Sequence, residues 1–352
     1  MTMELTLACG DYDRTRALRT GDVRPEGIDV NYLTIPPAET FVRMEAYAEF
    51  QASEMSLSAY IIGLSKGDDR FVGIPAFPSR VFRHRDIYVR NESGIESPED
   101  LRGRRVGIHR YHMTALLWQR GLLAEDYGVK PQDITWVKAG VNLPGVPPRR
   151  LHLNLPSDVQ VEQVTDRSID ELLVSGDIDA AILGFPPPSF TDPASGVRRL
   201  FGDVRNVELA YYRRTHIFPI MHLVVLRRDV YESAEWAAQS LLAAFQRSKY
   251  RAYDLMRNFG YSESALPFFH LDLEEIRQDF GEDFWAYGVH ANTRELEAAV
   301  RYSYEQGMSE RPVDVAELFP ATAQEPWSMD AIGVLPGSAG AEPPSTEHGL
   351  AD

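Results

Sequence analysis

The stretch Leu101-Arg-Gly-Arg-Arg-Val-Gly-Ile-His109 decides the fold. It is a polar turn that leads into a short apolar strand, and a predicted helix over Thr114–Tyr127 and a predicted strand over Ile134–Val137 follow it. Strand, helix and strand in this order indicate a parallel sheet with a right-handed crossover connection. We therefore expect an α/β protein.

The same alternation extends to both sides of this unit. Other predicted strands are Leu5–Cys9, Gly27–Leu33, Phe71–Pro75, Ile87–Val89, Ile178–Leu183 and Leu223–Leu226, and Glu54–Tyr60 is a strand end that runs into a short helix. Other predicted helices are Glu39–Phe50, Ser168–Val174, Ala234–Asn258, Asp272–Phe280 and Thr293–Gln306. We expect a loop over the proline-rich stretch Gly140–Pro156 and a disordered tail over residues 336–352, which cannot bury a core.

The composition limits the partners of the protein. The chain has 352 residues, enough for two domains, and its 36 Lys and Arg against 52 Asp and Glu give a formal net charge of −16. An acidic surface repels nucleic-acid phosphates and anionic lipids, so we expect neither nucleic acid nor membrane as a partner. The N-terminal residues carry no export signal pattern, and no apolar run approaches the roughly 18 residues of a membrane span. These features predict a cytoplasmic location.

Two α/β units can be placed, over about residues 1–90 and 91–205, with a helical last third that packs against one of them. The chain is expected to cross between the units near Tyr88–Ser93 and to return near Val207–Tyr212. The cleft between them would then be lined by strand ends and loops, where open α/β sheets bind their ligands.

The segment Ser79-Arg-Val-Phe-Arg-His-Arg85 concentrates positive charge just before the expected crossing. An arginine fork matches a carboxylate in shape and charge, so this segment predicts binding of a small acid. If the segment is extended, Ser79, Arg83 and Arg85 share one face, and Arg80 and His84 share the other. A solvated basic patch is the alternative.

Titratable side chains near predicted strand ends are candidates for proton transfer. For each histidine, a structural hydrogen bond is the alternative role, and the spacing of His109 and His112 leaves a metal half-site open. His222 lies beside an apolar run, so we expect it to be buried with a tunable pKa. The candidate catalytic residues are Glu54, His84, Tyr111, His112 and His222.

Further polar residues are candidates for holding the ligand. Thr114 can cap the helix that it begins, and free N–H groups at a helix start attract anions. Ser56 can donate a hydrogen bond, Arg14 follows the first strand, and His216 lies at the return crossing. Cys9, the single cysteine, is expected to be a small buried residue and excludes an internal disulfide.

Seven segments together resemble the 4,5-dihydroxyphthalate decarboxylase family. They are Ser53–Tyr60, Phe77–His84, Leu101–Gly107, Tyr111–Ala115, Gly176–Ala180, Tyr211–His222 and Trp285–Val289. The resemblance implies a two-lobed fold like that of type II periplasmic binding proteins, with residues 1–90 and 210–335 in one lobe and residues 91–209 in the other. It also implies decarboxylation of a hydroxylated, phthalate-like aromatic acid in the inter-lobe cleft, without an organic cofactor.

The chain departs from the family pattern at Arg110-Tyr-His112, where the family has a Glu-Tyr-Gln type of sequence, and at His216, where it has Gly. Two other hypotheses remain open, and these differences motivate the second of them. One is a small-acid binding protein without turnover, and the other is a different enzyme on this fold, such as a dehydratase or a natural-product enzyme. A bound divalent metal and a homo-oligomer also remain open.

Overall fold

Two β-sheets form the framework of the computed structural model, which describes residues 2–146, 151, 153–258, 260, 262 and 264–325. The predicted tail over 336–352, and part of the predicted loop over Gly140–Pro156, lie outside these described residues. Within them the strands are β1 Met3–Cys9, β2 Ile28–Thr34, β3 Ala52–Ser56, β4 Phe71–Arg80, β5 Ile87–Arg90, β6 Arg105–Ile108, β7 Thr135–Gly140, β8 Gln160–Ser168, β9 Ala180–Ile182, β10 Val197–Arg199 and β11 Ile220–Arg227. The helices are α1 Arg16–Thr20, α2 Pro37–Tyr47, α3 Leu57–Ser65, α4 Thr114–Tyr127, α5 Ile169–Ser175, α6 Val204–Thr215, α7 Arg228–Ser233, α8 Trp236–Met256, α9 Phe269–Phe280, α10 Thr293–Glu305 and α11 Val315–Leu318.

The first sheet has the strand order β2-β1-β3-β11-β4. Strands β1, β2 and β3 are parallel, and β11 is antiparallel to both β3 and β4. The carboxyl ends of β1 and β3 therefore lie at the same edge as the first residues of β11 and the last residues of β4. Every residue of β3 is buried, as a strand covered on both faces requires.

The second sheet has the strand order β10-β5-β9-β6-β7-β8. Strands β6, β7, β8 and β9 are parallel, which confirms the parallel α/β unit predicted from the opening stretch. Strand β5 pairs antiparallel with β9 and so belongs to this sheet. The chain thus passes to the second sheet between Arg80 and Ile87, leaves it after β10 at Arg199, and returns to the first sheet at Ile220 through α6.

The sequence patterns missed three elements of the second unit. Strand β8 is exposed along most of its length, and β10 has only half-buried residues, so neither shows the apolar alternation of a core strand. Helix α6 buries only Glu208 and Tyr211, so its apolar face is too narrow to recognise. Helix α5 was predicted well because Ser168 caps it, accepting from the N–H of Glu171, and because Gly176 ends it with φ 82°.

Helix α4 joins the two sheets. Its first ten residues, Thr114 to Leu123, are all buried. Trp118 Nε1 donates to the carbonyl of Ile220 in β11 at 2.8 Å. Gln119 Nε2 donates to the carbonyls of Asp86 and Leu183 at 3.2 and 2.9 Å. These hydrogen bonds fix the start of β11 relative to the second sheet. Across the described residues, no helix combines the length and the apolar character that crossing a bilayer requires.

Candidate active site

Three adjacent strands place a row of polar side chains at the carboxyl edge of the first sheet. His222 in β11 lies opposite Ser56 in β3 on one side and opposite Ser79 in β4 on the other. Residues directly opposite one another in antiparallel strands point to the same face, so these three side chains share one face. Because side chains alternate along a strand, Glu54 lies on that face as well. The pairing of β11 with β4 is irregular on both sides of His222, and such irregularities often re-aim a side chain near a functional site.

Glu54 and His222 form a tight hydrogen-bonded pair. His222 Nδ1 lies 2.5 Å from Glu54 Oε1. The Glu54 side chain is fully buried, whereas the His222 side chain keeps 19% of its surface exposed. Since Nδ1 faces Glu54, Nε2 is the ring nitrogen that remains for exchange with a ligand. Phe41 packs its ring edge-on against the imidazole at 4.8 Å between centroids.

Two groups at the end of β1 complete the surroundings of Glu54. The hydroxyl of Tyr12 donates to Oε1 at 2.7 Å, and the N–H of Gly10 donates to Oε2 at 2.9 Å. Gly10 has to be a glycine here, because a Cβ at this position would lie 2.8 Å from the Tyr12 ring. Because residue 10 has no Cβ, the Tyr12 ring has room to fold back over the chain, and its hydroxyl reaches the carboxylate.

The carboxylate of Glu54 is held in its ionised form. Burial alone raises the pKa of Glu54, but His222 and the hydrogen bonds from Gly10 and Tyr12 outweigh burial, so the net pKa is below the ordinary value. Burial and the nearby Glu54 charge raise the pKa of the Cys9 thiol well above its ordinary value. Cys9 is fully buried, as predicted, and its Sγ lies 3.5 Å from Glu54 Oε2. It is therefore a neutral neighbour of the carboxylate and not a nucleophile.

Arg14 lies next to this pair, between two aromatic rings. Its guanidinium carbon is 4.4 Å from the centroid of the Tyr12 ring and 4.0 Å from that of Trp285. Nε donates to the carbonyl of Pro78 at 2.7 Å, and Nη1 donates to Asp13 at 3.0 Å. Pro78 precedes Ser79, the residue opposite His222. The structure thus brings a stacked arginine to the edge of the Glu54–His222 pair.

The second unit reaches the same edge through the start of α4. The Thr114 hydroxyl lies 2.8 Å from the Ser56 hydroxyl, and it accepts from the N–H of Ser58 at 3.1 Å. The Ser58 hydroxyl donates to the carbonyl of His112 at 2.6 Å. Six predicted site residues are therefore brought to one edge: Arg14, Glu54, Ser56, Ser79, Thr114 and His222. His112 adjoins them through its backbone carbonyl. In the described part of the chain, no group of three or more His, Cys, Asp or Glu side chains could hold a metal ion.

The basic segment has a different structure from the extended one expected. Strand β4 ends at Arg80, and residues His84 to Asp86 form a turn of 3-10 helix, so strict alternation does not apply. Arg80 is buried and donates to the carbonyls of Phe218 and Ala286 at 3.1 and 2.7 Å and to Asn292, with Glu295 at 3.5 Å. The Arg80 guanidinium is thus held by groups inside the protein.

Arg83 and Arg85 also have partners inside the protein. Arg83 Nη1 donates to Asp86 and to the carbonyl of Gly184 at 2.8 and 3.0 Å, and its Nε and Nη2 lie against the sulfur of Met221. Arg85 forms a two-pronged pair with Glu208, at 3.2 and 2.6 Å. Arg83 contacts Met221, the residue before His222, whereas Arg85 is bound to Glu208 of α6.

His84 and Tyr111 occupy packed cores rather than the polar row. His84 packs edge-on against Phe201 and Tyr211, and burial with the nearby Arg214 and Arg85 charges lowers its pKa to about 4. The Tyr111 ring stacks on the buried Arg120 guanidinium at 3.7 Å. Within the described residues neither side chain contacts Glu54 or His222, and their geometry indicates no catalytic role.

His216 ends α6 with φ 53°, in the left-handed region that glycine adopts most easily. The side chain lies beside Tyr212 and lines a hollow of about 620 Å³ that also contains Arg80 and His290. That hollow does not include Glu54 or His222, so His216 is apart from the polar row.

Two residues of the site were not identified from the sequence. Tyr12 follows Gly10 at the end of the first strand, and a glycine and an aromatic residue at a strand's carboxyl end are a usable signal for a loop that turns back onto the sheet. Trp285 carried no such signal, because it comes from a distant segment that only tertiary packing brings to Arg14.

Comparison with known proteins assigns the chain to a family. No family model matches it. It is 35% identical to 4,5-dihydroxyphthalate decarboxylase of Comamonas testosteroni over 328 residues, 93% of this chain and 99% of that protein. The chain belongs to the 4,5-dihydroxyphthalate decarboxylase family. A second family member, from Pseudomonas putida, is 38% identical over 212 residues, 60% of this chain and 82% of that protein. The predicted membership, and with it the assignment to the decarboxylases, is confirmed.

Solved structures confirm the predicted fold. The periplasmic aliphatic sulphonate binding protein SsuA of Escherichia coli is similar with a TM-score of 0.52 and 14% identity, over 92% of this chain and 99% of that one. The sulfonate-binding protein SsuA of Methylobacillus flagellatus has a TM-score of 0.53 and 17% identity, over 95% and 96%. The family member described here therefore has a type II periplasmic-binding-protein-like fold.

Proposed function

We propose that this protein removes one carboxylate, as CO₂, from a dihydroxylated phthalate in a site at the carboxyl edge of the first sheet. The observation that carries this proposal is the buried Glu54–His222 pair, with Nε2 of the imidazole left for the ligand. Aromatic decarboxylation requires a proton at the ring carbon that loses CO₂, and a positioned histidine is suited to deliver it. The family relatives act on the same class of acid by name.

In the proposed reaction, His222 donates its Nε2 proton to the ring carbon that bears the carboxylate. The bond from that carbon to the carboxylate then breaks, its electron pair returns to the ring, and CO₂ leaves. In 4,5-dihydroxyphthalate each carboxylate is para to a hydroxyl, which supports the positive charge that protonation places on the ring. His222 is left neutral and takes up a proton from water. Glu54 holds the imidazole in place throughout, and Tyr12 and Gly10 hold Glu54.

Arg14 is the proposed anchor for the carboxylate that stays on the ring. Its guanidinium lies between the rings of Tyr12 and Trp285, with one edge donating to the carbonyl of Pro78 and Nη1 to the exposed Asp13, so its orientation is set before a ligand arrives. Ser56, Ser79 and Thr114 lie on the same edge and can hydrogen-bond the ring hydroxyls. Arg83 is a candidate for a second contact, because the partner of its Nη2 among the described residues is the weak acceptor Met221 Sδ.

The chemistry described here uses side chains alone, and we propose that it needs no organic cofactor or metal. Dialysis of the purified protein against a chelator tests this: activity should be retained, and activity restored only by an added metal would contradict it. We further propose that the protein works in the cytoplasm, which cell fractionation tests. Whether it forms a homo-oligomer stays a prediction for size measurement in solution.

The deciding experiment measures CO₂ release from 4,5-dihydroxyphthalate by the full chain, with the aromatic product identified. We expect one CO₂ and one dihydroxybenzoate per substrate consumed, and solvent deuterium at the ring position vacated by the carboxylate. Substrate recovered unchanged, although it binds, would overturn the proposal in favour of a binding protein. Turnover without CO₂ would point to a different enzyme on this fold.

A further inference from the structure

Lys249 on α8 is a fully buried lysine close to the proposed site. Its side chain has no exposed surface, which is rare for lysine and requires a partner for the charge. Nζ donates to Asp283 at 2.5 Å and to the carbonyl of Trp285 at 3.2 Å. Three tyrosine rings surround it, with Nζ 4.8 Å from the centroid of Tyr250, 5.5 Å from that of Tyr253 and 4.9 Å from that of Tyr287.

The partners of Lys249 hold Trp285 on several sides. The Tyr253 hydroxyl donates to Asp283 at 3.0 Å and accepts from the N–H of Trp285 at 2.9 Å. The indole Nε1 of Trp285 donates to the carbonyl of Phe77 at 2.8 Å. Both the backbone and the ring of Trp285 are thereby fixed, and the ring is one of the two surfaces that stack on Arg14.

We propose that Lys249 is a positioning residue for substrate binding, which acts through Asp283 and Trp285 to hold Arg14 in place. The inference rests on the proposed function, because it takes Arg14 to bind a substrate carboxylate. Lys249 itself touches no substrate, since its charge is enclosed by Asp283 and the tyrosines. Its removal should therefore weaken binding and leave the proton transfer by His222 intact.

The titratable and charged groups that face Lys249 are Asp283, Tyr250 and Tyr253, with Tyr287 and Arg80 from other segments. Burial, together with the Arg80 charge, lowers the pKa of Lys249 to about 8 in spite of Asp283. Burial raises the pKa of Tyr250 to about 12 and raises those of Tyr253 and Tyr287 further from neutrality. Lys249 therefore loses its charge first as the pH rises, and its grip on Asp283 weakens above about pH 8.

The test compares steady-state CO₂ release from 4,5-dihydroxyphthalate in the full-length wild type, Lys249→Met, Trp285→Ala and the double variant. We expect Lys249→Met to raise KM by about tenfold with kcat within about twofold, and to add nothing in the Trp285→Ala background. The wild-type KM should rise from about pH 7 to about pH 9, and the KM of Lys249→Met should stay flat. Lys66→Met, a more exposed lysine paired with Glu310, is the matched control and should behave as wild type.

The results of these variants distinguish a failure of the Lys249 inference from a failure of the proposed function. If Arg14→Gln raises KM but Lys249→Met does not, the positioning role is wrong and the proposed function stands. If Arg14→Gln leaves KM unchanged, the anchor role of Arg14 and the positioning role of Lys249 are both wrong, whereas a wild type that releases no CO₂ overturns the proposed function itself. Equal and additive effects of Lys249→Met with and without Trp285 would also overturn the inference. Should Lys249→Met fail to fold, Asp283→Asn, a change at a 38% exposed side chain, tests the same link, and a wild-type KM there would contradict the inference.

Discussion

The carboxyl edge of the first sheet and the crossover segment from Arg80 to Asp86 both carry cations and a histidine, but their partners differ. In the crossover, Arg80, Arg83 and Arg85 are paired with Glu295, Asp86 and Glu208. At the sheet edge, Arg14 lies between two rings, and its ion-pair partner, Asp13, is an exposed side chain with 43% of its surface accessible. The dense run of arginines thus lies where the chain connects its two sheets, and these arginines form ion pairs within the protein.

The two histidines follow the same contrast. His84 is enclosed by aromatic rings, and its Nδ1 has no hydrogen-bond partner among the described residues. His222 has a carboxylate on Nδ1 and remains partly exposed. A histidine that is buried without an acidic partner is favoured as a neutral core residue. A histidine that is hydrogen-bonded to a buried carboxylate is oriented by it and suits the proposed role of proton donor.

The largest effect is expected from His222→Gln, which removes the proposed proton donor. Loss of a general acid lowers kcat by about 10²–10⁴-fold. His84→Leu is the matched control and should keep wild-type kcat in the same CO₂-release assay. A His84 variant as inactive as the His222 variant would break the comparison.

Glu54→Gln should lower kcat by about 10²-fold, because the imidazole loses the charge that orients it. The change also alters acid stability. Since the pKa of Glu54 is lowered by folding, its ionised form stabilises the native state above its ordinary pKa, and that stabilisation is lost as the pH falls below it. The free energy of unfolding, measured with urea, should therefore fall more steeply below about pH 4.5 in the wild type than in Glu54→Gln. Parallel curves would contradict the ionised assignment.

His84 should make its own contribution to acid lability over a different range. Its folded pKa of about 4 lies below the value near 6.5 of an unfolded histidine, so the native state binds fewer protons and stability falls as the pH drops from 6.5 towards 4. The loss amounts to about 3 kcal/mol at its limit. Chemical unfolding across this range should show it in the wild type and not in His84→Leu.

Arg14→Gln should raise KM by about 10–100-fold, the cost of one charge-assisted hydrogen bond, with a much smaller change in kcat. Arg85→Gln removes an arginine of the crossover and is the matched control. It should lower the unfolding free energy, because it leaves the buried Glu208 without its partner, but KM should stay within about twofold. The reverse result would restore the basic segment as the ligand anchor.

The sequence was sufficient for the fold because its apolar segments belong to central elements, such as α4 and β11, which are buried along most of their length. It failed at β8 and α6, whose exposed positions leave no apolar pattern. Within the site, Glu54 and His222 could be proposed singly, since each is a polar residue in an apolar run. Their pairing could not, because 168 positions separate them and only the antiparallel register of β3 and β11 brings them together.

Glu54 and His222 come from neighbouring strands of a single sheet, and Tyr12 and Gly10 from the loop after a third strand of that sheet. The proposed proton donor and the groups that hold it are therefore assembled without any residue of the second unit. Changes in second-unit loops, such as Arg110 to His112, should leave the proposed proton donor in place. An engineer could therefore graft new second-unit loops onto the first sheet while the proposed donor stays unchanged.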